Sequence, residues 1–380
     1  MLIDMEDVLL HLCTPADWRA ALASGSIAPP SLGEVGFVHL STADQVELPA
    51  QRLFAGRRDM VLLAVDARVL ADAGIEVRWE PGVPGDPESM RFPHAYGAIP
   101  SRAVLAVLPY RPGTDGRFAR PDVPVLDVAG RATLCEHSVV RRAASREEPV
   151  TGGLAVLTDG FPVSRMHNQL LLDRTVDATT LLDEADRVLD GQPHRAATLL
   201  AGSSPTVAAE LAGHGWEVEE LVTMAAPAGG TAPGAQRGGA GGTRVDEVDL
   251  DALRPHFDAA WRRTLADVTD GEIAQLVDRY RLEEAVIDMR YLAVRDTGEV
   301  AAGCLLKIDG ATASVDSVET GPSYRGRGHG RALLACAFEI AAAAGCDLLV
   351  LSTSVDDWPR QWYARLGFVE VGRFFTAART

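Results

Sequence analysis

The stretch Ser314–Ala332, SVDSVETGPSYRGRGHGRA, constrains the fold more than any other part of the 380-residue chain. Apolar and polar residues alternate over 313–320, as in a half-buried strand, and Gly321-Pro322 then leads into a tight turn at Arg325–Gly330. An Ala- and Leu-rich segment from Gly330 to Ala344 follows, with Leu333, Leu334, Ala337, Phe338 and Ile340 at helical spacing. A strand that turns through glycines into a helix leaves several backbone N–H groups unpaired at the positive end of the helix dipole, and such a site holds phosphate without a lysine. Gly326, Gly328 and Gly330 permit close approach. The G-x-x-x-x-G-K-[ST] loop is absent, and the third glycine of the dinucleotide fingerprint is missing. An ordinary glycine-rich turn shares this local chemistry, so the residues downstream carry the decision. Gly345 stops the helix, an apolar strand spans 347–353, and a polar bend at 352–357 precedes a short helix at 359–366 with Trp362 and Tyr363. A further strand starts at Phe368.

Composition excludes several classes. With 47% hydrophobic and 23% charged residues the chain is globular, and its length suggests two to three domains. No apolar run approaches the roughly 18 residues of a membrane span, and the N-terminal MLIDMEDVLL has acids where an export signal has basic residues, so the expected location is cytoplasmic. A net charge of −17 weighs against nucleic-acid and membrane partners and suits a cationic amine better. The five cysteines form no C-x-x-C pair, so neither a disulfide framework nor a metal site is expected. Oligomeric state is not encoded in any pattern here.

Two composition breaks divide the chain. The run from Ala225 to Thr243, mostly Gly, Ala and Pro, reads as a flexible linker, set at 226–244, and a softer Pro/Gly break lies at 109–124. The first part, 1–115, reads as a small α+β unit with a helix at 15–23 capped by Thr14 and strands at 36–40, 60–65 and 104–108. The second, 130–225, ends in the order helix (178–189), strand (196–200), helix (206–212), strand (217–224), and the third, 245–380, ends in the same order. The corners LAGHGWEV at 211–218 and LGFVEV at 366–371 correspond, so two similar lobes are expected, although common αβ punctuation gives the same order.

The pair Arg325-Gly326-Arg327-Gly328-His329-Gly330 and Tyr363-Ala364-Arg365-Leu366-Gly367-Phe368 resembles the R/Q-x-x-G-x-G/A loop and the tyrosine before L-G-F of the GNAT acyltransferase superfamily, over about 245–380. The resemblance implies an acetyl-CoA co-substrate. Backbone groups of Val318, Glu319 and Thr320 would face the pantetheine arm, and the turn Arg325, Gly326, Arg327, Gly328, His329, Gly330 with Arg331 would hold the pyrophosphate. Tyr363 would protonate the departing thiolate. Asp356 and Asp357 replace the family's asparagine ahead of the tyrosine. Glu319 is the candidate base, although alternation along a strand equally makes it a surface charge. His329 reads as a loop filler, and Asp258, Asp267 and Asp270 as a solvated helix face in the region where the superfamily builds its acceptor site. The second part lacks the glycine loop, having LLLDRTVD at 170–177, and resembles a degenerate GNAT-like lobe that walls the acceptor cleft, with Arg165, His167 and Asn168 as its one polar cluster.

In the first part, VLLHLCTPADWRAAL, GFVHLSTADQV, VRWE and RFPHAYGAIP resemble a bacterial family catalogued only as domain of unknown function 952. That family has been likened to the ADP-ribosyltransferase fold, which implies NAD as a possible ligand. His11, His39, Ser41, Glu80 and His94 are the candidate site; core histidines and a loop acid, or a metal site without a helical His motif, remain open readings. The expected architecture is thus an α+β and α/β multidomain chain, a tandem GNAT fold with a degenerate first lobe behind a small α+β domain. Its expected activity is transfer of acetyl from acetyl-CoA to the amine of a small molecule or protein by direct attack in a ternary complex. A non-catalytic acetyl-CoA- or NAD-sensing, antitoxin-like module and an NAD-linked activity of the N-terminal domain are the alternatives.

Overall fold

The computed structural model describes residues 7–82, 87, 89–200, 205–229 and 243–380. The first unit comprises β1 (Val8–Cys13), α1 (Pro15–Ser24), β2 (Ser26–Ile27), α2 (Pro30–Val35), β3 (Val38–His39), α3 (Glu47–Leu53), β4 (Met60–Asp66), α4 (Ala67–Asp72), β5 (Val77–Pro81), β6 (Arg91–Ala95), β7 (Ile99–Pro100) and β8 (Val104–Tyr110). These strands form three small antiparallel sheets, β1-β4-β8, β2-β7 and β3-β6-β5. Every residue of β4, MVLLAVD, is buried, because both faces of this central strand are covered. Thr14 starts α1 through a reciprocal capping box with Asp17, and Gly25 at φ 81° ends it. The Pro/Gly break that follows is fastened to this unit: Phe118 and Leu126 are buried, and the Tyr110 hydroxyl donates to Ala119 O at 2.7 Å.

The middle of the chain forms α5 (Val128–Ala143), β9 (Arg146–Val150), β10 (Gly153–Leu157), β11 (Gln169–Leu172), α6 (Ala178–Val188), β12 (Arg195–Leu199), α7 (Pro205–Gly213) and β13 (Glu217–Pro227). The rest forms β14 (Val245–Val248), α8 (Leu250–Thr264), α9 (Asp270–Asp278), α10 (Tyr280–Glu284), β15 (Asp288–Asp296), β16 (Glu299–Asp309), β17 (Thr312–Thr320), α11 (His329–Ala343), β18 (Leu348–Ser354), α12 (Trp358–Arg365) and β19 (Val369–Arg379). All eleven strands β9–β19 belong to one sheet, in the order β14-β15-β16-β17-β18-β13-β19-β12-β11-β10-β9.

That order contains an exchange. Each half holds a parallel pair joined through a helix, β11–β12 in one and β17–β18 in the other, and each pair shares only three register positions. The strand closing each half then crosses over: β13 pairs with β18, β19 pairs with β12, and β13 and β19 pair antiparallel at the centre. The two corners matched in the sequence are therefore the entries to two equivalent, exchanged strands. The lobes expected to pack against one another are instead continuous through backbone hydrogen bonds. Ala225, Ala226 and Pro227, the first residues of the Gly/Ala/Pro run, form the end of β13 opposite Leu348–Val350, where the small Ala side chains fit beneath covered faces. Residues 230–242 of the expected linker lie outside the described residues.

Helix α5 ties the first unit to this sheet. Its buried residues include Arg131, Ser138 and Arg142 as well as apolar ones. The Ser138 hydroxyl donates to Val107 O on β8, and Arg142 donates to Val286 O at 2.8 Å and pairs with Asp309, a buried carboxylate that also accepts the Trp18 indole N–H at 2.8 Å. Arg131 donates to Ala311 O at 3.1 Å and pairs with Asp347. No helix among the described residues is long and apolar enough to cross a membrane.

Candidate functional site

Strands β17 and β18 pair only from Thr312↔Leu348 to Ser314↔Val350, then diverge. Beyond that point β17 bulges: Leu305 faces Asp316 while Gly303 faces Glu319, and Ser317 sits at φ 53°, a left-handed conformation rare for a residue with a side chain. Its hydroxyl is held by Tyr280 Oη at 2.8 Å and Asp316 Oδ1 at 3.2 Å. Strain kept in place by neighbours in this way marks functional positions. The bulge turns the backbone of Val318–Thr320 toward a gap where β18 offers no partner.

Two cavities open into that gap. One, of about 870 Å³, is lined by Val318–Thr320, the turn from Tyr324 to Arg331, Asp357–Pro359, Trp362 and Tyr363. All the cofactor-binding residues expected from the sequence are thus gathered around one cleft. Gly326 and Gly328 adopt φ 76° and 85°, and Gly328 is the N-cap of α11 with no side chain to occupy the first N–H groups of the helix. A Cβ on Gly330 would lie 3.3 Å from the Trp362 ring. Arg327 is tied to Asp296 at 2.6 Å and to Ser323 O at 3.0 Å, and Arg325 donates to Thr320 O at 3.2 Å, so both arginines brace the turn from its own side. His329 is buried with both ring nitrogens unpartnered, its Nε2 3.9 Å from Asp296. Arg331 is exposed at the start of α11.

Tyr363 is the hinge of the site, since it lines this cleft and a second cavity of about 470 Å³ on the opposite side of the gap. It is 8% exposed, packed on Trp362 and Phe368, and burial pushes its phenol well above the ordinary range. Glu319 lines only the first cavity, where Arg263 holds its carboxylate at 2.6 Å. Asp357 caps α12 by accepting from Trp358 N at 2.7 Å. Asp258, Asp267 and Asp270, like the rest of α8 and α9, do not line the second cavity; α5, the turn at 165–169, β13 and β19 do. The second cavity is therefore walled largely by the exchanged half.

The polar floor of the second cavity is a chain of buried groups that crosses the seam between the halves. Ser164 Oγ lies 2.9 Å from His167 Nδ1, His167 Nε2 lies 3.6 Å from Glu283, and Lys307, the one lysine of the chain, bridges Glu283 and Asp316 at 2.7 Å each. Burial would raise Asp316, but Lys307 outweighs it and holds the carboxyl down to about 2. Burial pushes His167 down to about 4 despite Glu283. Of the polar cluster read at 165–168, His167 joins this chain. Arg165 pairs with Glu217 at 3.1 Å at the cavity mouth, and Asn168 closes a turn by accepting from Thr158 N. The sequence reading missed Glu136, whose carboxylate accepts from Ser352 Oγ at 2.9–3.0 Å inside the same cavity. Burial raises it to about 7. Helix α5 has a capping signal at Asp127 and apolar residues at helical spacing, and those were the signals available.

In the first unit the structure brings His11, His39, Glu80 and His94 into one cluster. His11 Nδ1 lies 3.0 Å from His39 O, His94 stacks on Phe37 at 4.0 Å and meets Glu80 at 3.3 Å, and Glu80 also accepts from Tyr96 Oη at 2.8 Å. Ser41 enters through its backbone, paired with Leu10 beside His11. Burial lowers all three histidines. Among the described residues no group of three or more His, Cys, Asp or Glu is arranged to hold a metal ion.

A strand pair that splays at a bulge, with an uncapped glycine turn on one side and a tyrosine at the divide, defines an acyl-CoA-dependent transferase fold. Comparison with known proteins agrees. The pattern described as the acetyltransferase (GNAT) family matches residues 251–368, and one described as a protein of unknown function (DUF952) matches residues 12–107. Glucosamine 6-phosphate N-acetyltransferase of Trypanosoma brucei brucei is 30% identical over 132 residues, covering 33% of this chain and 85% of that protein. The chain belongs to the GNAT acetyltransferase family, with acetyl-CoA as the co-substrate that membership implies, and carries a DUF952 unit ahead of it. A functionally unknown conserved protein from Staphylococcus epidermidis shares the fold at 11% identity and TM-score 0.50, over 61% of this chain and 92% of its own. CC0527 from Caulobacter crescentus is 29% identical over 30% of this chain and 93% of its own, with TM-score 0.26. The family covering the N-terminal unit has no assigned function and lends the NAD expectation no support.

Proposed function

We propose that the chain transfers acetyl from acetyl-CoA directly to a small amine in a ternary complex, with the cofactor in the cleft of Gly326–Gly330 and the amine in the cavity beneath α5. The single observation that carries this reading is that the two cavities meet at Val318 and Tyr363. The first N–H groups of α11 hold the pyrophosphate, where the helix dipole and the absence of a capping side chain favour an anion. The backbone of Val318–Thr320 lies along the pantetheine arm. Tyr363, buried and therefore protonated, donates to the departing thiolate. Cysteine is not a competing nucleophile: burial pushes the Cys304 thiol far up, and Cys336 is raised by burial as well. The acceptor of the trypanosomal relative carries a phosphate, whereas Glu136, Glu217 and Glu219 line the cavity here, so an uncharged or cationic amine fits better.

Release of free CoA from acetyl-CoA in the presence of simple amines tests the reading. Tyr363→Phe is expected to lower turnover about 100- to 10,000-fold, the usual worth of a general acid, while leaving acetyl-CoA affinity unchanged by calorimetry. Equal turnover in variant and parent would return Tyr363 to a packing role.

A further inference from the structure

The acceptor cavity contains two carboxylates with no cationic partner among the described residues. Among the described residues the Glu136 carboxylate bonds only the Ser352 hydroxyl, and the side chain of Glu219, exposed on β13 where it lines the cavity, has no hydrogen bond or ion pair. The other charges there are matched: Lys307 lies between Glu283 and Asp316, and Arg165 is paired with Glu217. We propose that Glu136 is the general base that deprotonates the acceptor ammonium, and that the acceptor carries a second positive charge seated against Glu219. This rests on the acetyl-transfer reading above and adds to it the base and the substrate class.

The geometry supports the role in three ways. Ser352 lies two positions beyond Val350, the last residue of β18 paired with β17, so its hydroxyl holds the Glu136 carboxylate just past the point where those two strands part. Tyr363 and Val318 line the same cavity as Glu136, so the proposed acid and base share its walls. Glu319 is bound to Arg263 on the far side and is poorly placed to meet an amine there. The charged groups facing Glu136 are Asp316 from β17, Lys307 from β16 and Glu283 from α10; burial, aided by the two carboxylates, outweighs the Ser352 hydrogen bond and Lys307 and raises its carboxyl to about 7. A carboxyl held there is about half ionised at neutral pH, and its carboxylate form accepts a proton more readily than an ordinary glutamate.

The step balances as follows. Glu136 takes one proton from R–NH3+ and passes it to solvent. The neutral nitrogen attacks the thioester carbonyl, the new C–N bond forms, and the C–S bond breaks. Tyr363 gives its proton to the CoA thiolate, its phenolate takes up the second proton shed by nitrogen, and the products are the amide, CoA–SH and one released proton.

The test uses the full chain, its Glu136→Gln and Glu219→Gln variants, and three probes: 1,4-diaminobutane, 1-aminobutane and glucosamine 6-phosphate. Carbon-13 NMR of glutamate-labelled protein is expected to show one carboxyl titrating near pH 7 in the parent and missing in Glu136→Gln. The parent's kcat for diaminobutane should rise through that same pH, and Glu136→Gln should lose about 100-fold or more in kcat with the acetyl-CoA affinity retained. Glu219→Gln should raise KM for the diamine about tenfold and leave that for the monoamine unchanged. Full kcat with an unaltered pH profile in Glu136→Gln overturns the base. Equal or better use of aminobutane or the phosphosugar overturns the substrate class. Acetyl-CoA binding without CoA release by any probe overturns this proposal and leaves cofactor binding standing, whereas loss of acetyl-CoA binding in the parent overturns the acetyl-transfer reading itself.

Discussion

The two halves of the large sheet start from the same plan and diverge at one helix terminus. In the C-terminal half β17 leads through glycines to α11, whose N-cap, Gly328, leaves the first N–H groups free. In the other half β11 leads to α6, whose N-cap, Asp177, fills the equivalent position: its carboxylate accepts from Thr180 N at 2.8 Å, and those N–H groups lower its pKa. A capped helix end is already occupied by an anion of its own, and an uncapped one waits for an anion from outside. One half consequently has an open helix end facing a cleft, which the proposed function assigns to the cofactor, and the other contributes walls, a closing strand and the seam network.

The comparison breaks most completely if the halves are separated. A chain of residues 245–380 lacks β13, and β18 and β19 then lose the strand that joins them. Such a fragment is expected to show no cooperative thermal transition by circular dichroism; a sharp transition would show that each half closes by itself. The seam supplies the next effect. His167 is fully buried with its pKa depressed to about 4, so the unfolded chain binds its proton first as pH falls. The stability this group contributes is present above about pH 6.5 and is lost between there and pH 4, by up to about 3 kcal/mol. Urea melts of the parent and His167→Gln at pH 7 and pH 4.5 should show the smaller drop in the variant, and parallel drops would remove His167 from the account.

Smaller effects sharpen the contrast of the two helix ends. A Cβ on Gly328 meets nothing within 4 Å, so Gly328→Val keeps the fold while forcing a left-handed valine and placing methyls where the proposed pyrophosphate would sit. Acetyl-CoA affinity should fall roughly tenfold to a hundredfold by calorimetry. Asp177→Ala in the other half should cost about 1 kcal/mol of stability and leave acetyl-CoA binding at one per chain. A second equivalent appearing in that variant would mean that the cap alone had kept the first half from binding.

What could be read from the sequence was whatever has a local signature. Thr14 with Asp17, the alternation over 313–320 and the glycines at 326–330 each act within a few residues, and the elements they announce are present within a residue or two. The strand exchange was not readable, because the choice between β12 and β18 as a partner for β13 is made by residues more than a hundred positions away. Ala225–Pro227 looked like linker since small residues and proline carry no apolar signal, yet they suit a strand end under covered faces. Glu136 was hidden for a related reason: the helical spacing of α5 is legible, but the distant partners of its buried Arg131, Ser138 and Arg142 decide which way its faces turn.

The exchanged strands also set a timetable for synthesis. β12 ends at Leu199, but its neighbour β19 ends at Arg379, so the edge of β12 stays open while some 180 further residues are made. At about 5–20 residues per second that is on the order of 10 to 40 seconds. β13 likewise leaves the ribosome before either strand that will flank it. Nascent chains of this protein must therefore carry unpaired strand edges in the crowded cell until the eleven residues of β19 complete both halves at once.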